Sequence, residues 1–232
     1  IRLVAQARRA LADTLRLLGY YAAALKLLAE AERGFRSISE WSGVADTLRI
    51  TGQIHWLRGD HSQALAALEQ QLEISTGIDD PRRICEARQV IGIVLWSQGD
   101  WEQAADNCLK SILVAGPLEY KPVITRASIT LGNIRSGEHW FGEAVYWYQR
   151  AGALAREIDD RQALSWVITS IAHILAKRGD YTGASAGYER SLHTAWEIGD
   201  RLLACLNVAN LAAVNRHLGR LDEAESLYRQ AI

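Results

Sequence analysis

The chain has 232 residues, is 49% hydrophobic and 23% charged, and carries a formal net charge of −1 from 26 Lys+Arg against 27 Asp+Glu. That balance excludes a nucleic-acid clamp or an acidic-lipid binder, both of which need a basic excess, and no apolar run approaches the roughly 20 residues of a membrane span. Three widely spaced cysteines, Cys85, Cys108 and Cys205, form neither a disulfide framework nor a zinc-ligand spacing and fit a reducing, cytoplasmic setting. With 3 Pro and abundant Ala, Leu, Glu and Arg, the chain is expected to be mostly helical. It opens at Ile1, contains no Met, and ends at Ile232 inside a helical pattern, so it reads as an internal piece of something larger.

A 40-residue period runs through the whole chain. Ala24, Ala64, Ala104, Ala144, Ala184 and Ala224 stand 40 apart, and five positions before them stand Gly19, Gly59, Gly99, His139, Gly179 and Gly219. A second small column reads Ala12, Gly52, Gly92, Gly132, Ala172 and Ala212, and an apolar one reads Ile38, Ile78, Leu118, Ile158 and Ile198. The approximate units are 1–38, 39–78, 79–118, 119–158, 159–198 and 199–232.

The first unit turns at Gly19 ahead of Ala24. In the second, Val44, Leu48, Thr51, Gly52 and Ile54 recur at helical spacing and predict a first helix of about 16–18 residues. Gly59 ends it, because glycine tolerates a left-handed cap. Asp60 then caps a second helix, with Gln63 completing a capping box. Ala64, Leu65, Leu68 and Leu72 form that helix's apolar stripe. Asp79-Asp80-Pro81 opens the third unit, with Asp80 as N-cap and Pro81 at the first helical position. Gly99-Asp100 turns it. The fourth unit is irregular: Gly116-Pro117-Leu118-Glu119-Tyr120-Lys121-Pro122 replaces the usual boundary, and His139 stands at the turn. Both an adjusted turn and a hinge between two halves fit this stretch. Asp159-Asp160, Gly179-Asp180 and Gly199-Asp200 repeat the grammar in the last two units. Small residues such as Gly52 and Ala64 let the two helices of a hairpin approach, while Leu68, Tyr148, Tyr188 and Tyr228 fill the gap to the next. One hairpin cannot bury its apolar face alone, so the hairpins stack into a helical solenoid without separate domains.

The stretches Leu48-x2-Thr51-Gly52-x2-His55, then Ala64, Leu68 and Gln71, and Ile168-x2-Ile171-Ala172-x2-Leu175, then Ala184, Tyr188 and Ser191, resemble the tetratricopeptide repeat family. The resemblance covers all 232 residues. The period of 40 rather than 34, and the missing proline near the repeat end, are similar to the long-repeat branch. That branch occurs in cell-polarity adaptors and in the sensor regions of bacterial STAND-type regulators. The resemblance implies an all-α, right-handed α-solenoid (superhelix) of about six stacked TPR-like hairpins over 1–232. It also implies a binding scaffold without catalysis and without a cofactor.

In that family the first helix of each hairpin lines the concave face. Carried over by register, the stripes of this face include Gln6, Asp46, Glu86, Arg126 and Trp166; Arg9, Arg49, Gln89, Ile129 and Thr169; Asp13, Gln53, Ile93, Asn133 and His173; and Arg16, Trp56 and Trp96. Trp56 and Trp96 hold one register in adjacent units and read either as an aromatic platform for a partner or as packing between helices. The arginines read as partners for carboxylates or as solvated surface charge. The paired Asn and Lys of chaperone-tail binders are not reproduced.

Six scattered histidines contain no H-E-x-x-H pair, and neither a G-x-x-x-x-G-K-[ST] loop nor a G-x-S-x-G elbow is present. The paired carboxylates sit at repeat boundaries, where helix capping accounts for them. Cys85 and Cys205 share a register expected to be a small packing position, and Cys108 an apolar one. No enzyme and no metal site is expected. The leading expectation is a protein- or peptide-binding scaffold, a regulatory fragment of a larger signalling or transcription-regulatory protein. The alternative is a sensor for a small molecule or peptide. A third reading is a spacer, with self-association through an apolar face left open by the last helix.

Overall fold

The computed structural model describes the backbone of residues 1–231 and the side chains of residues 1–226; Tyr228 and Ile232, named above, lie outside the described side chains. Every element among the described residues is helical. In chain order they are α1 (Arg2–Leu17), α2 (Tyr21–Arg36), α3 (Trp41–Leu57), α4 (His61–Gly77), α5 (Pro81–Gln98), α6 (Trp101–Ala115), α7 (Lys121–Gly137), α8 (Phe141–Glu157), α9 (Arg161–Lys177), α10 (Tyr181–Ile198), α11 (Arg201–His217) and α12 (Leu221–Ala231). They divide into two compact units, Ile1–Val123 and Ile124–Ile232. The division falls just after the irregular Gly116–Pro122 stretch.

The helices stop where the backbone turns left-handed. All turns within hairpins carry a positive φ at one column: Gly19, Gly59, Gly99, His139, Gly179 and Gly219. A second positive-φ column, Ser39, Asp79, Glu119, Asp159 and Gly199, ends the second helices. His139, at φ 64°, therefore follows the same turn as its glycine counterparts, and its ring meets Phe141 edge-on. Five of the helices start on an aspartate cap. Asp80, Asp100, Asp160, Asp180 and Asp200 accept from the amides of Arg83, Gln103, Ala163, Gly183 and Leu203 at 2.9–3.2 Å. The capping box expected at Asp60 and Gln63 does not form. Asp60 makes no side-chain cap bond, because its carboxylate is drawn to Arg58 Nε at 3.4 Å and His55 Nδ1 at 3.6 Å.

In the first unit each helix packs on its chain neighbour, and the first helices also meet one another, α1 on α3 and α3 on α5. The small columns permit this. A Cβ on Gly52 would fall 2.6 Å from Leu68 Cγ, and one on Gly92 2.5 Å from Cys108 Sγ. Leu68 thus packs back onto its own hairpin rather than only bridging to the next. Ala12, Ala24, Leu28, Ile50 and Ile54 form one core cluster, and Ala5, Ala31, Phe35, Val44 and Leu48 another. Ile50 is buried against Ala12, Ala24 and Leu28 of the preceding hairpin, and Val90, at the same register of α5, is buried too.

The second unit is built in the same way. A Cβ on Gly132 would fall 2.4 Å from Tyr148 Cε1, and the Tyr148 hydroxyl donates to Asn133 Oδ1 at 2.8 Å. Burial pushes the Tyr148 phenol up to about 12, so it stays a donor. Tyr148 packs with Ala151, Val167 and Ile174, and Tyr188 with Leu211 and Val214, so both tyrosines do reach the next hairpin. A buried polar knot joins three helices here. Thr169 Oγ1 lies 2.8 Å from Ser191 Oγ and donates to Asn207 Oδ1 at 2.9 Å; Ser191 donates in turn to the Ser165 carbonyl at 3.0 Å. Of the cysteines, Cys85 and Cys108 are buried, whereas Cys205 is exposed. The shared register of Cys85 and Cys205 therefore does not bring shared burial.

Candidate binding face

The first-helix face of the first unit carries Arg49, Gln53 and Trp56 on α3 and Glu86, Gln89, Ile93 and Trp96 on α5. Trp56 and Trp96 are each half-buried. The Trp56 indole donates to Ser97 Oγ at 3.3 Å, at the C-terminal end of α5, and Ser97 donates to the Val94 carbonyl at 2.7 Å. One edge of Trp56 is thus spent on joining α3 to α5, and the rest of the ring reaches solvent. Gln53 and Ile93, three residues before the two tryptophans on the same helices, are also half-buried. Gln89 is 3% exposed and its Nε2 has no hydrogen-bond partner.

The charges on this face are paired across hairpins. Asp46 on α3 holds Arg9 of α1 and accepts from Arg83 of α5, at 2.9 Å from its Nε. Arg83 also pairs with Asp80. Arg49 Nε lies 3.6 Å from Glu86, which accepts from the Tyr120 hydroxyl at 2.6 Å, and Arg82 stacks over the Tyr120 ring. Burial pushes the Asp80 carboxyl up, but the Arg83 amide and guanidinium outweigh it and hold it below its usual value. Burial together with the Glu86 carboxylate pushes the Tyr120 phenol up to about 12. Arg9 and Arg49 are thus committed inside the array, and the open part of the face is aromatic and amide. Arg83 and Tyr120 do not come out of the register argument. A signal for Arg83 exists: it stands in a column otherwise filled by Gly43, Val123, Ala163 and Leu203, and a charge in such a column needs a partner.

In the second unit, Arg126 and His173 are exposed. Ile129 packs against the Ala144–Tyr148 cluster, and Trp166 against Ala195, Leu203 and Ala204. Asn133 is the acceptor for Tyr148. Partial desolvation, aided by Lys177, lowers the His173 pKa below its ordinary 6.5 and keeps the ring neutral at pH 7. Ile129, Asn133 and Trp166 therefore serve packing in whole or part. Among the described residues no group of His, Cys, Asp and Glu could hold a metal ion, and no helix is long and apolar enough to cross a membrane.

Models of the tetratricopeptide repeat match residues 3–77 and 203–232. Human tetratricopeptide repeat protein 29 is 27% identical over 131 residues, 56% of this chain and 28% of that protein, so the match spans little more than a quarter of the relative's length. Among solved structures, NprR in complex with its cognate peptide NprX superposes with a TM-score of 0.76 at 14% identity, over 100% of this chain and 67% of that one. A STAND-type signal-transduction ATPase with a tetratricopeptide repeat sensor, from Pyrococcus horikoshii, superposes with a TM-score of 0.70 at 16% identity, over 98% of this chain and 36% of that one. At these identities the structural likeness establishes the fold.

Proposed function

We propose that this chain, whose residues 3–77 and 203–232 match tetratricopeptide repeat models, is a non-catalytic scaffold binding an extended or helical peptide segment along its first-helix faces. We place it in the cytoplasm as a regulatory part of a larger signalling or transcription-regulatory protein. The observation that carries the reading is the half-buried set Trp56, Gln53, Ile93 and Trp96 on adjacent helices of the first unit. Aromatic rings with one face open offer contact area at low entropic cost, and the amide beside them can meet a peptide backbone. The fold likeness to a regulator bound to its peptide supports the same reading. In the second unit Arg126 and His173 are the exposed candidates for contact.

The test is selection of a displayed peptide library on the whole protein, followed by fluorescence anisotropy with the selected peptide. Trp96→Ala, checked for folding by circular dichroism, should weaken binding at least tenfold. Unchanged binding by a folded Trp96→Ala removes the α3–α5 face from the proposal. A second reading, a sensor for a small molecule, draws on the likeness to the STAND-type sensor. A compound that raises the melting temperature in proportion to the logarithm of its concentration would favour it.

A further inference from the structure

Away from the first-helix face, the second unit holds a cleft of about 570 Å³ between α10, α11 and α12. Its apolar wall is Leu192 and Leu211; its polar wall is Glu189, Asn215, Asp222, Glu223 and Ser226. We propose that this cleft is a binding site for an alkylguanidinium or alkylammonium group, the chemistry of an arginine or lysine side chain.

Three observations carry the assignment. First, the wall presents three carboxylates, and no described Lys or Arg forms an ion pair with them. Among the described residues Glu189 accepts from Ser185 Oγ at 3.0 Å, and Glu223 from Asn215 Nδ2 at 3.3 Å. Second, Asn215 is 5% exposed, and its amide oxygen is buried without a hydrogen-bond partner. A buried carbonyl left without a donor is costly, and a multi-donor cation in the cleft would supply one. Third, packing does not require these groups. One repeat earlier the corresponding positions are Gln149, Leu175, Thr182 and Gly183, and Leu175 there packs into the core. One repeat further back Arg135 stands at the Asn215 register and its Nε lies 3.1 Å from Glu143, at the Glu223 register, so an acid kept there has a guanidinium beside it.

The chemistry of the ligand follows from the walls. The three carboxylates and the Asn215 amide oxygen can only accept, so a ligand that meets them donates, and a planar guanidinium supplies five N–H groups in a fixed fork. Leu192 and Leu211 offer a surface for an aliphatic stem, as long basic side chains need. Among the described residues these carboxylates form no group that could hold a metal ion, and the aliphatic wall beside them suits an organic cation. The site does not depend on peptide binding along α3 and α5.

The experiment is a titration of the whole protein with N-acetyl-L-arginine amide, followed by backbone amide shifts in NMR. The neutral isostere N-acetyl-L-citrulline amide and free L-arginine serve as parallel arms. We expect saturable shifts on α10, α11 and α12, none with the citrulline probe, and at least tenfold weaker binding in Asp222→Asn/Glu223→Gln. Glu102→Gln, in the first unit, should leave binding unchanged. Tighter binding of the capped probe assigns the site to a peptide side chain, and tighter binding of free arginine assigns it to a free amino acid; both support the cleft. Shifts that do not saturate, that appear equally with citrulline, or that survive Asp222→Asn/Glu223→Gln overturn it. The citrulline arm needs no variant and stands even if the double substitution unfolds the chain.

Discussion

Gly132 is a position where a single methyl group matters. With 2.4 Å to Tyr148 Cε1 for an added Cβ, Gly132→Ala forces apart α7 and α8 and should cost about 1–3 kcal/mol, read from the shift in urea midpoint. The next hairpin solves the same problem differently. Ala172 already carries the methyl, and Gly187 across from it is the residue without one, at 2.7 Å for an added Cβ. Thiol chemistry offers a second reading at this scale. Burial, with the Glu86 charge beside it, pushes the Cys85 thiol up to about 11, and Cys85 and Cys108 are enclosed. Ellman's reagent should therefore find one fast thiol in the native protein, Cys205, and two more only after denaturation. Three fast thiols would contradict the packing of α5 against α6. The small columns were legible in the sequence because Gly and Ala recur at a fixed register. The exposure of Cys205 was not, because its register matches the buried Cys85, and a register carries no information about what covers each copy.

At the scale of the helix, the turns follow local chemistry. A left-handed residue ends each of α1 to α11, and an aspartate cap opens α5, α6, α9, α10 and α11. His139 is the one side chain in the column of within-hairpin turns that glycine otherwise fills. His139→Gly should relieve left-handed strain worth about 1 kcal/mol, partly offset by the entropy glycine loses on folding. A small rise in melting temperature is the expected result; a fall would show that the edge contact with Phe141 outweighs the strain. The caps separate in the same way. Asp100 bonds the Gln103 amide at 3.2 Å, whereas Asp60 makes no cap bond. Asp100→Ala should cost about 1 kcal/mol and Asp60→Ala clearly less. The sequence presented these two aspartates alike, each after a glycine and three residues before a glutamine. Their difference comes from His55 and Arg58, which draw the Asp60 carboxylate away from the helix start.

For the whole molecule, stability is a sum over hairpins and the contacts between neighbours. In the first unit the chain of Arg9, Asp46, Arg83 and Asp80 ties α1, α3 and α5 together beyond their apolar contacts. The Asp80 carboxyl is held below its ordinary 3.8 in the folded state. Its stabilisation is therefore complete above about pH 3.8 and is lost as pH falls through the folded value. Asp80→Asn should flatten the acid end of the stability–pH curve below about pH 4 and leave its slope near pH 7 unchanged. His173 acts at higher pH. Its lowered pKa means that the unfolded chain protonates first, so folding loses stability as pH drops below 6.5. An NMR titration should place the His173 midpoint below that value, and a midpoint at or above it would remove the effect.

The period, the all-helical class, the position of every turn and the small columns were determined by the sequence alone. Each rests on interactions within a few residues of one another or on a register repeated 40 residues later, and both can be read along a line. Only the tertiary structure decided which polar residues of the first helices remain open to a partner. Arg49 meets Glu86, and Asp46 meets Arg9 and Arg83, across 37 residues. Tyr120 reaches Glu86 across 34, and Gln89 lies buried. The acids of the α10–α12 cleft were equally hidden, spread over two helices with Asn215 on a third. Whether two charges on neighbouring hairpins pair depends on how the helices stack and on the rotamers each side chain can take, and neither is written in the one-dimensional pattern.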